Sequence, residues 1–238
     1  MPPPPGPTPE SDPSTSAMPR LLVTAGPTRE PIDAVRFIGN RSSGRMGHAI
    51  ATEAARRGWP TTLLLGPVTT PAPDGPRIER FQTGTELQDL LTHHWPSHDM
   101  LIMAAAVADF VPESRHAGKL SRRDGDLVLT LKPAPDLLTA LAKSRRPDQT
   151  MVGFALEEAA DLPERAAAKL QRKNLDAIVA NPLAAMEAPD VDATLLTRDG
   201  ACIEAPPGLS KPAFAAWLLD HLATIHDGTR SSTDRSLP

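Results

Sequence analysis

The sequence predicts an α/β fold, a Rossmann-like three-layer sandwich in which a mostly parallel sheet carries helices on both faces. Short apolar runs alternate with helical patterns along most of the chain, which is typical of parallel strands joined by crossover helices. The run Met100 to Ala106 is continuously apolar, as expected of a strand buried on both faces. With 238 residues, 40% of them apolar, the chain is long enough for one such domain and short for two.

The elements follow from the hydrophobic period and from the residues that interrupt it. Gly58 ends the first helix, and an Asp-Gly pair at Asp199 and Gly200 predicts a late antiparallel hairpin. In chain order we predict a strand at 21–24, a helix at 46–57, strands at 61–65 and 78–81, a helix at 85–94, a strand at 100–106, an alternating segment at 127–131, a helix at 136–143, a strand at 151–155, a helix at 163–173, strands at 177–180, 193–197 and 201–204, and a helix at 211–225.

Both ends of the chain differ in composition from the rest. Residues 1–18 are rich in Pro, Ser and Thr, and residues 228–238 are mostly polar. Such segments bury too little apolar surface to offset the entropy lost on ordering. We therefore expect a disordered Pro-rich tail at 1–18, a single domain at 19–227 and a disordered tail at 228–238.

Charge and cysteine content limit the possible functions. A formal net charge of -4 argues against nucleic acid as a partner. The single cysteine, Cys202, excludes an intramolecular disulfide and a multi-cysteine metal site. No apolar run reaches membrane-spanning length, and the first 20 residues lack the apolar core of a secretory signal. We expect a cytoplasmic protein without a membrane partner.

The loop after the first strand is rich in residues that bind anions. It begins at Gly26 and contains Arg36, Asn40, the pair Ser42 and Ser43, and Gly44 immediately before a helix. Helix N-termini present unpaired N–H groups to phosphates, and we expect one of the two serines to cap this helix or bind a phosphate. Neither GxGxxG nor GxxxxGK[ST] occurs in the loop, which disfavours a simple dinucleotide dehydrogenase.

Further candidate residues follow other predicted strands. Ala105 and Asp109 come after the buried strand, where small residues allow a ligand to approach the backbone. Lys119 lies in a long polar loop, residues 112–123, which we call the lid loop. Lys169 and Lys173 share one face of a helix. Because ligands bind beyond the carboxyl ends of parallel strands, we expect one shared site.

Several motifs together resemble the phosphopantothenate–cysteine ligase family of coenzyme A biosynthesis, in its stand-alone form. The similar stretches are TAGPTREPIDAVRFIGNRSSGRMG, AAAVADF, the lysine at 119, LKPAPDLL, VGFALE and KLQRKNLDAIVAN. They agree in order and spacing from Leu21 to Leu196. The resemblance implies a homodimer that joins 4'-phosphopantothenate to cysteine, using CTP and Mg²⁺ held by the nucleotide phosphates. An acyl-cytidylate forms first, and cysteine then displaces CMP.

The resemblance also implies roles for individual residues. Asn40 and Lys119 are the expected catalytic residues. The substrate would be bound by Arg36, Asn40, Ser42, Ser43 and Gly44. The nucleotide would be bound by Gly26, Ala105, Asp109, Lys119, Pro135, Asp136, Leu137, Leu138, Phe154, Lys169 and Lys173.

Three features depart from the family pattern. The segment at 188–194 lacks the Phe-Asn pair that the family carries near the late hairpin. Ser121 stands where many members carry a lysine in the lid loop. A flavin-dependent decarboxylase domain precedes the ligase in many bacterial members, whereas a Pro-rich tail precedes it here, so we expect the decarboxylase to be a separate chain and a possible partner. Two other functions stay open: an NAD(P)-dependent reductase on the same fold, and a non-catalytic nucleotide-binding subunit of a decarboxylase complex.

Overall fold

The structure is a computed structural model that describes residues 18–158, 162–183 and 190–234. The strands are β1 Leu21–Ala25, β2 Arg29–Pro31, β3 Phe37–Gly39, β4 Thr61–Leu65, β5 Arg77–Arg80, β6 Met100–Met103, β7 Phe110–Pro112, β8 Leu131–Pro133, β9 Thr150–Glu157, β10 Ala177–Pro182, β11 Asp190–Val191, β12 Thr194–Thr197, β13 Cys202–Glu204 and β14 Leu209–Ser210. The helices are α1 Arg45–Arg56, α2 Gly84–His94, α3 Leu137–Ala142, α4 Leu162–Arg172 and α5 Lys211–Asp234.

The central sheet has the strand order β13-β12-β10-β9-β6-β1-β4-β5. The six strands from β10 to β5 are parallel, and β12 and β13 form the antiparallel hairpin at one edge. The chain builds outward from β1 to β4 and β5, then returns to the other side of β1 through β6. The strand order therefore reverses between β1 and β6, which is where open α/β sheets bind ligands.

Helices cover both faces of this sheet, so the predicted three-layer α/β fold is confirmed. Residues of α1 and α5, such as Ile50 and Phe214, are completely buried with one face of the strands. Residues of α2, α3 and α4, such as Leu87, Leu138 and Leu170, form a second buried cluster on the opposite face. Aliphatic side chains dominate both clusters, because aromatic residues make up only 3% of the chain.

Strand β6 ends at Met103, three residues earlier than predicted. The Thr24 side chain explains the early end, since its Oγ1 accepts a hydrogen bond from the Ala105 N–H at 3.0 Å. The backbone after Met103 therefore bonds to a side chain, and it rejoins its neighbour only at an isolated bridge between Pro27 and Ala106. The two loops at the reversal point consequently stay paired beyond the sheet.

Two small hairpins project from the loops beside the sheet, and neither was predicted. Strands β2 and β3 pair within the loop after β1, and β7 pairs with β8 across the lid loop. The segment predicted to alternate, 127–131, is irregular up to residue 130, because the ladder with β7 uses Leu131–Pro133 instead. Val128 is left 87% exposed.

The last helix continues to Asp234, so the prediction of a disordered tail is wrong for residues 228–234. Within these added turns the Thr229 hydroxyl donates to the Ile225 carbonyl and the Thr233 hydroxyl donates to the Thr229 carbonyl, both at 3.0 Å, as Thr side chains inside helices often do. The predicted tails at 1–17 and 235–238 lie outside the described residues. In the part of the chain that is described, no helix is both long and apolar enough to cross a membrane.

Candidate functional site

Three glycines bring the loop after β1, the end of β1 and the start of α1 into close contact. Gly26 and Gly44 have positive φ angles of 84° and 72°. A Cβ atom on Gly44 would lie 3.2 Å from the Gly26 nitrogen, and one on Gly47 would lie 2.6 Å from the Ala25 Cβ. Gly47 therefore lets α1 pack directly on β1, in the way that the third glycine of a dinucleotide fingerprint does. Sequence analysis missed this because β2 and β3 separate Gly26 from the Gly44–Gly47 pair.

The N-terminus of α1 carries no side-chain cap. Gly44 occupies the cap position, so the expectation that Ser42 or Ser43 caps the helix is wrong. Ser42 Oγ accepts only a long hydrogen bond, 3.4 Å, from the Gly44 N–H, and Ser43 is exposed. A left-handed residue turns the chain too sharply for either hydroxyl to reach the first turn. The backbone N–H groups at the start of α1 are thus available to an anion.

Asn40 joins the loop after β1 to the loop after β6. Its side-chain Nδ2 donates to the Val107 carbonyl at 2.9 Å, although the residue itself is exposed. Thr28, which is fully buried, adds a second link, because its Oγ1 accepts from the Ala108 N–H at 3.0 Å. Ala105 is the third contact of this kind, through Thr24. These links hold Asn40 at the point where the strand order reverses.

Arg36 is already engaged within the protein. Its Nε donates to Asp33 Oδ2 at 2.9 Å, its Nη2 bonds to the same oxygen, and Nη2 also donates to the Leu120 carbonyl at 2.9 Å. The side-chain bonds of Arg36, followed by its backbone N–H, hold the pKa of the Asp33 carboxyl far below its usual range. Lys119 is exposed, and its side chain has no hydrogen-bond or ion-pair partner among the described residues.

Lys169 and Lys173 contact the predicted nucleotide side of the site. Lys169 Nζ donates to the Phe154 carbonyl at 2.8 Å, and Lys173 Nζ donates to Asp136 Oδ1 at 3.0 Å. Burial lowers the pKa of Lys169, the charge of Lys173 lowers it further, and Glu157 and Asp109 oppose the shift. A half-buried ammonium beside a second cation favours an anionic ligand, because the ligand charge would relieve both penalties.

Asp136 caps α3 by accepting from the Thr139 N–H at 3.2 Å. Partial burial would raise its pKa, but the hydrogen bonds from Lys173 and Thr139 outweigh that effect and leave the pKa below its ordinary value. Asp109 is exposed, and its carbonyl accepts from the Ala134 N–H at 2.8 Å. The chain before α3 is thereby fastened to the loop after β6.

The predicted nucleotide-binding residues around the start of α3 differ in their exposure. Pro135 is exposed, whereas the side chains of Leu137 and Leu138 are buried among apolar residues. Leu137 and Pro135 also border a cavity of about 330 Å³ that reaches Val107. A larger cavity of about 770 Å³ lies at the opposite, amino-terminal edge of the strands, near Asp176, and no predicted site residue lines it. We place the site at the carboxyl edge, because that edge carries the uncapped start of α1 and also Lys119, whose side chain has no partner among the described residues.

The predicted set is thus brought together in two linked groups, one around the loop after β1 and one around α3 and α4. Sequence analysis missed Gly47, Thr28 and Asp33. The Gly44-x-x-Gly47 spacing signalled the first of these. Asp33 and Thr28 act through tertiary hydrogen bonds, and no sequence pattern predicts such bonds.

The chain matches the sequence pattern of the family described as DNA/pantothenate metabolism flavoprotein C-terminal domain over residues 17–225. A coenzyme A biosynthesis bifunctional protein CoaBC from Mycobacterium bovis is 38% identical over 225 residues, covering 89% of this chain and 54% of that protein. The Bacillus subtilis CoaBC is 36% identical over 216 residues, covering 88% and 52%. A prokaryotic protein named cysteine/cysteine sulfinic acid decarboxylase is 44% identical over 165 residues, covering 69% and 46%.

Solved structures agree with the sequence comparisons. The crystal structure of the C-terminal domain of a CoaBC protein superposes with a TM-score of 0.76 at 33% identity, covering 88% of this chain and 96% of that one. A Cab2 mutant in complex with phosphopantothenate-cysteine shares the fold, with a TM-score of 0.77 at 19% identity, covering 91% and 89%. The chain spans about half the length of the curated relatives that it matches. Its matched range and its fold together show that the chain belongs to the DNA/pantothenate metabolism flavoprotein C-terminal domain family.

Proposed function

We propose that this chain is an enzyme of coenzyme A biosynthesis that ligates 4'-phosphopantothenate to cysteine with CTP. One observation carries the proposal: Asn40 and the uncapped start of α1 meet at the reversal point between β1 and β6, and Lys169 lies near enough to Asp109, in the loop after β6, for the two charges to interact. The CoaBC relatives are named for coenzyme A biosynthesis, and the Cab2 neighbour holds phosphopantothenate-cysteine, which supports the substrate class.

In the first step, a carboxylate oxygen of the acid attacks the α-phosphorus of CTP, forming an acyl-cytidylate and releasing pyrophosphate. Two anions must approach each other, so the cations of the site have to offset their repulsion. The N–H groups of α1 and the glycine surface at Gly26 and Gly44 suit the phosphates. Lys169 and Lys173 supply two further positive charges on the nucleotide side.

In the second step, the cysteine amine attacks the acyl carbon, the amide forms and CMP leaves with the oxygen that bridged carbon and phosphorus. Asn40 would hold the acyl-phosphate group, because its amide is fixed at the end of β6 by Val107. The Lys119 ammonium, which is free among the described residues, would neutralise charge on the departing phosphate.

Magnesium would enter with the nucleotide. Within the described residues, no group of three or more His, Cys, Asp or Glu side chains is placed to hold a metal ion. That fits Mg²⁺, which proteins commonly bind through one or two carboxylates together with substrate phosphates. Asp109, an exposed carboxylate after β6, is the residue that would share the ion. The ion would supply charge neutralisation at the phosphates.

A homodimer is the proposed assembly. Large apolar side chains lie exposed on the two hairpins beside the site: Val35, Phe37, Phe110, Leu127, Val128, Leu129 and Leu131. Strand β2 lies against β7, so the two hairpins adjoin each other. Exposed apolar surface gathered in one region commonly marks a protein interface.

A decarboxylase-related role is the second candidate, because one relative is named as a decarboxylase of cysteine or cysteine sulfinic acid. The two functions differ in their products. A decarboxylase would release CO₂ without consuming a nucleotide, whereas the ligase would release CMP and pyrophosphate.

The test incubates purified protein with 4'-phosphopantothenate, cysteine and Mg²⁺, and with either CTP or ATP. We expect CMP and pyrophosphate in equal amounts only when the acid is present, and little turnover with ATP. Nucleotide consumption that is indifferent to the acid would contradict the proposal. Release of CO₂ from cysteine without CTP would favour the second candidate.

A further inference from the structure

One buried carboxylate organises the turn between β2 and β3. Asp33 is only 3% exposed, although the residues that follow it in the turn, Ala34, Val35 and Arg36, are exposed. Its Oδ1 accepts hydrogen bonds from the N–H groups of Val35 at 2.8 Å and Arg36 at 2.7 Å. Its Oδ2 accepts from the Arg36 guanidinium. Charge-assisted bonds from several directions fix the carboxylate and the guanidinium in one arrangement.

The Asp33–Arg36 ion pair binds the lid loop through the backbone of Leu120, the residue next to Lys119. The Leu120 N–H donates to Asp33 Oδ2 at 3.1 Å, and the Leu120 carbonyl accepts from Arg36 Nη2 at 2.9 Å. Both backbone groups of one lid residue are therefore held by a single ion pair. The residues that meet here lie more than 80 positions apart in the chain, so this contact closes a long loop.

Two backbone hydrogen bonds also join the lid loop to the chain around the turn between β2 and β3. The Ala34 N–H donates to the Gly118 carbonyl at 3.3 Å, and the His116 N–H donates to the Ile32 carbonyl at 3.0 Å. Lys119 thus has a bonded residue on each side, while its own side chain stays free among the described residues. The lid backbone is docked on the turn, and the ammonium projects from a fixed base.

We propose that Asp33 is a positioning residue for the ligation: together with Arg36 it docks the lid loop and so fixes the base from which Lys119 reaches the reacting phosphate. The assigned role of Lys119 rests on the proposed function, whereas the docking does not. Ordering a loop at each turnover costs conformational entropy, and a lid whose backbone is already docked leaves only the Lys119 side chain to be ordered.

The first test measures amide hydrogen exchange in Asp33→Asn. Asparagine keeps the size of the side chain but loses the charge, and its nitrogen cannot accept a hydrogen bond. We expect exchange in residues 115–121 to become at least about 10-fold faster, while peptides from β1 and β6 are unchanged. Asp126→Asn is the matched control, because it removes an exposed lid-side carboxylate that has no partner among the described residues. Unchanged protection of residues 115–121 in Asp33→Asn would overturn the proposal.

The second test is a double-mutant cycle on turnover. If Asp33 acts through Lys119, Asp33→Asn should slow the wild type but should not slow Lys119→Gln any further. A purely structural role would multiply the two losses, and that outcome would also overturn the proposal. If no variant and no wild type showed ligation, the proposed function would fail, while the exchange result would still decide the docking.

A further variant covers the case in which Asp33→Asn melts at a much lower temperature than the wild type. Leu120→Pro removes the N–H that Asp33 accepts from and also fixes the φ angle of residue 120, while the carboxylate keeps its bonds to Val35 and Arg36. We expect the same faster exchange at His116. Wild-type protection in this variant would contradict docking through the Leu120 N–H.

Discussion

At the scale of single residues, the site depends on side chains that hold backbone groups in place. Asn40 binds the Val107 carbonyl, Thr28 binds the Ala108 N–H and Thr24 binds the Ala105 N–H. Each bond links β1 or the loop that follows it to the loop after β6. The loops after β1 and β6 are therefore held together as one unit, as the proposed reaction between two bound anions would require.

Asn40→Asp tests this arrangement at the residue that the ligation needs most. A carboxylate cannot donate to the Val107 carbonyl, and it adds a negative charge beside anionic substrates. We expect kcat to fall by about 10²- to 10³-fold, the usual loss for one preorganised donor, with an unchanged melting temperature because Asn40 is exposed. Gln171→Glu, the same change in charge on the exposed face of α4, serves as the control in the steady-state assay. Equal activity in the two variants would argue against a catalytic Asn40.

Two buried histidines make stability depend on pH. Burial lowers the pKa of His98 against the opposing effect of the His94 carbonyl, and burial lowers the pKa of His226 against the charge of Asp99. His226 Nδ1 also bonds to Thr150 Oγ1 at 2.9 Å, which joins α5 to β9. Both rings are therefore neutral in the folded protein at neutral pH.

The unfolded chain binds these protons near pH 6.5, so the stability that neutral histidines contribute is complete above that pH and is lost as the pH falls below it. Between pH 6.5 and its folded-state pKa, each histidine should lower the free energy of unfolding by about 1.4 kcal/mol for every unit that the pH falls. Urea denaturation at pH 7.5, 6.5 and 5.5 measures the slope. His226→Asn should flatten it, and His93→Asn, at an exposed position, should leave it unchanged. An identical slope in all three proteins would contradict neutral burial of His226.

At the scale of elements, the hydrophobic period predicted every helix and every strand of the central sheet. Strands buried on both faces read as continuous apolar runs, and the helices that cover them carry an apolar stripe at helical spacing, so both kinds of element are visible in the sequence. The small hairpins escaped prediction because their strands are two or three residues long and are formed by tertiary contacts. The helical turns after Asp227 also escaped prediction, because residues 228–234 are polar and carry no apolar stripe.

Two glycine substitutions in helices should have opposite effects. In Gly47→Ala, the new Cβ would lie 2.6 Å from the Ala25 Cβ and 2.8 Å from the Thr24 carbonyl oxygen, which forces α1 away from β1. We expect a loss of about 1–3 kcal/mol in the free energy of unfolding. In Gly228→Ala nothing lies within 4 Å of the new atom, and alanine favours the helix by about 0.5–1 kcal/mol. Equilibrium urea denaturation measures both. No gain in Gly228→Ala would mean that α5 ends earlier.

At the scale of the whole molecule, the reversal of strand order between β1 and β6 determines where the site lies. The loops that follow parallel strands predicted this edge, and the family resemblance implied roles there for Asn40, Lys169 and Lys173. It could not predict that Gly26, Gly44 and Gly47 form one surface, because a hairpin separates them along the chain. The three glycines therefore meet in the structure much as those of a dinucleotide-binding fingerprint do, although the loop contains no GxGxxG motif.

The exposed apolar hairpins lead to a prediction about assembly. We expect sedimentation equilibrium to give a dimer for the wild type and a weaker dimer for Val128→Asp, because a charge at this 87% exposed position would be buried in the interface. Leu183→Asp, at a 40% exposed position outside both hairpins, is the control. A monomeric wild type at micromolar concentration would contradict the proposed homodimer.

The most direct test of the central claim follows one oxygen atom through the reaction. We would supply 4'-phosphopantothenate labelled with ¹⁸O in its carboxylate, together with CTP and cysteine, and analyse CMP by mass spectrometry. Attack of the carboxylate on the α-phosphorus predicts one labelled oxygen in each CMP released. CMP free of label, with both labelled oxygens still in the acid, would contradict carboxylate activation by this protein.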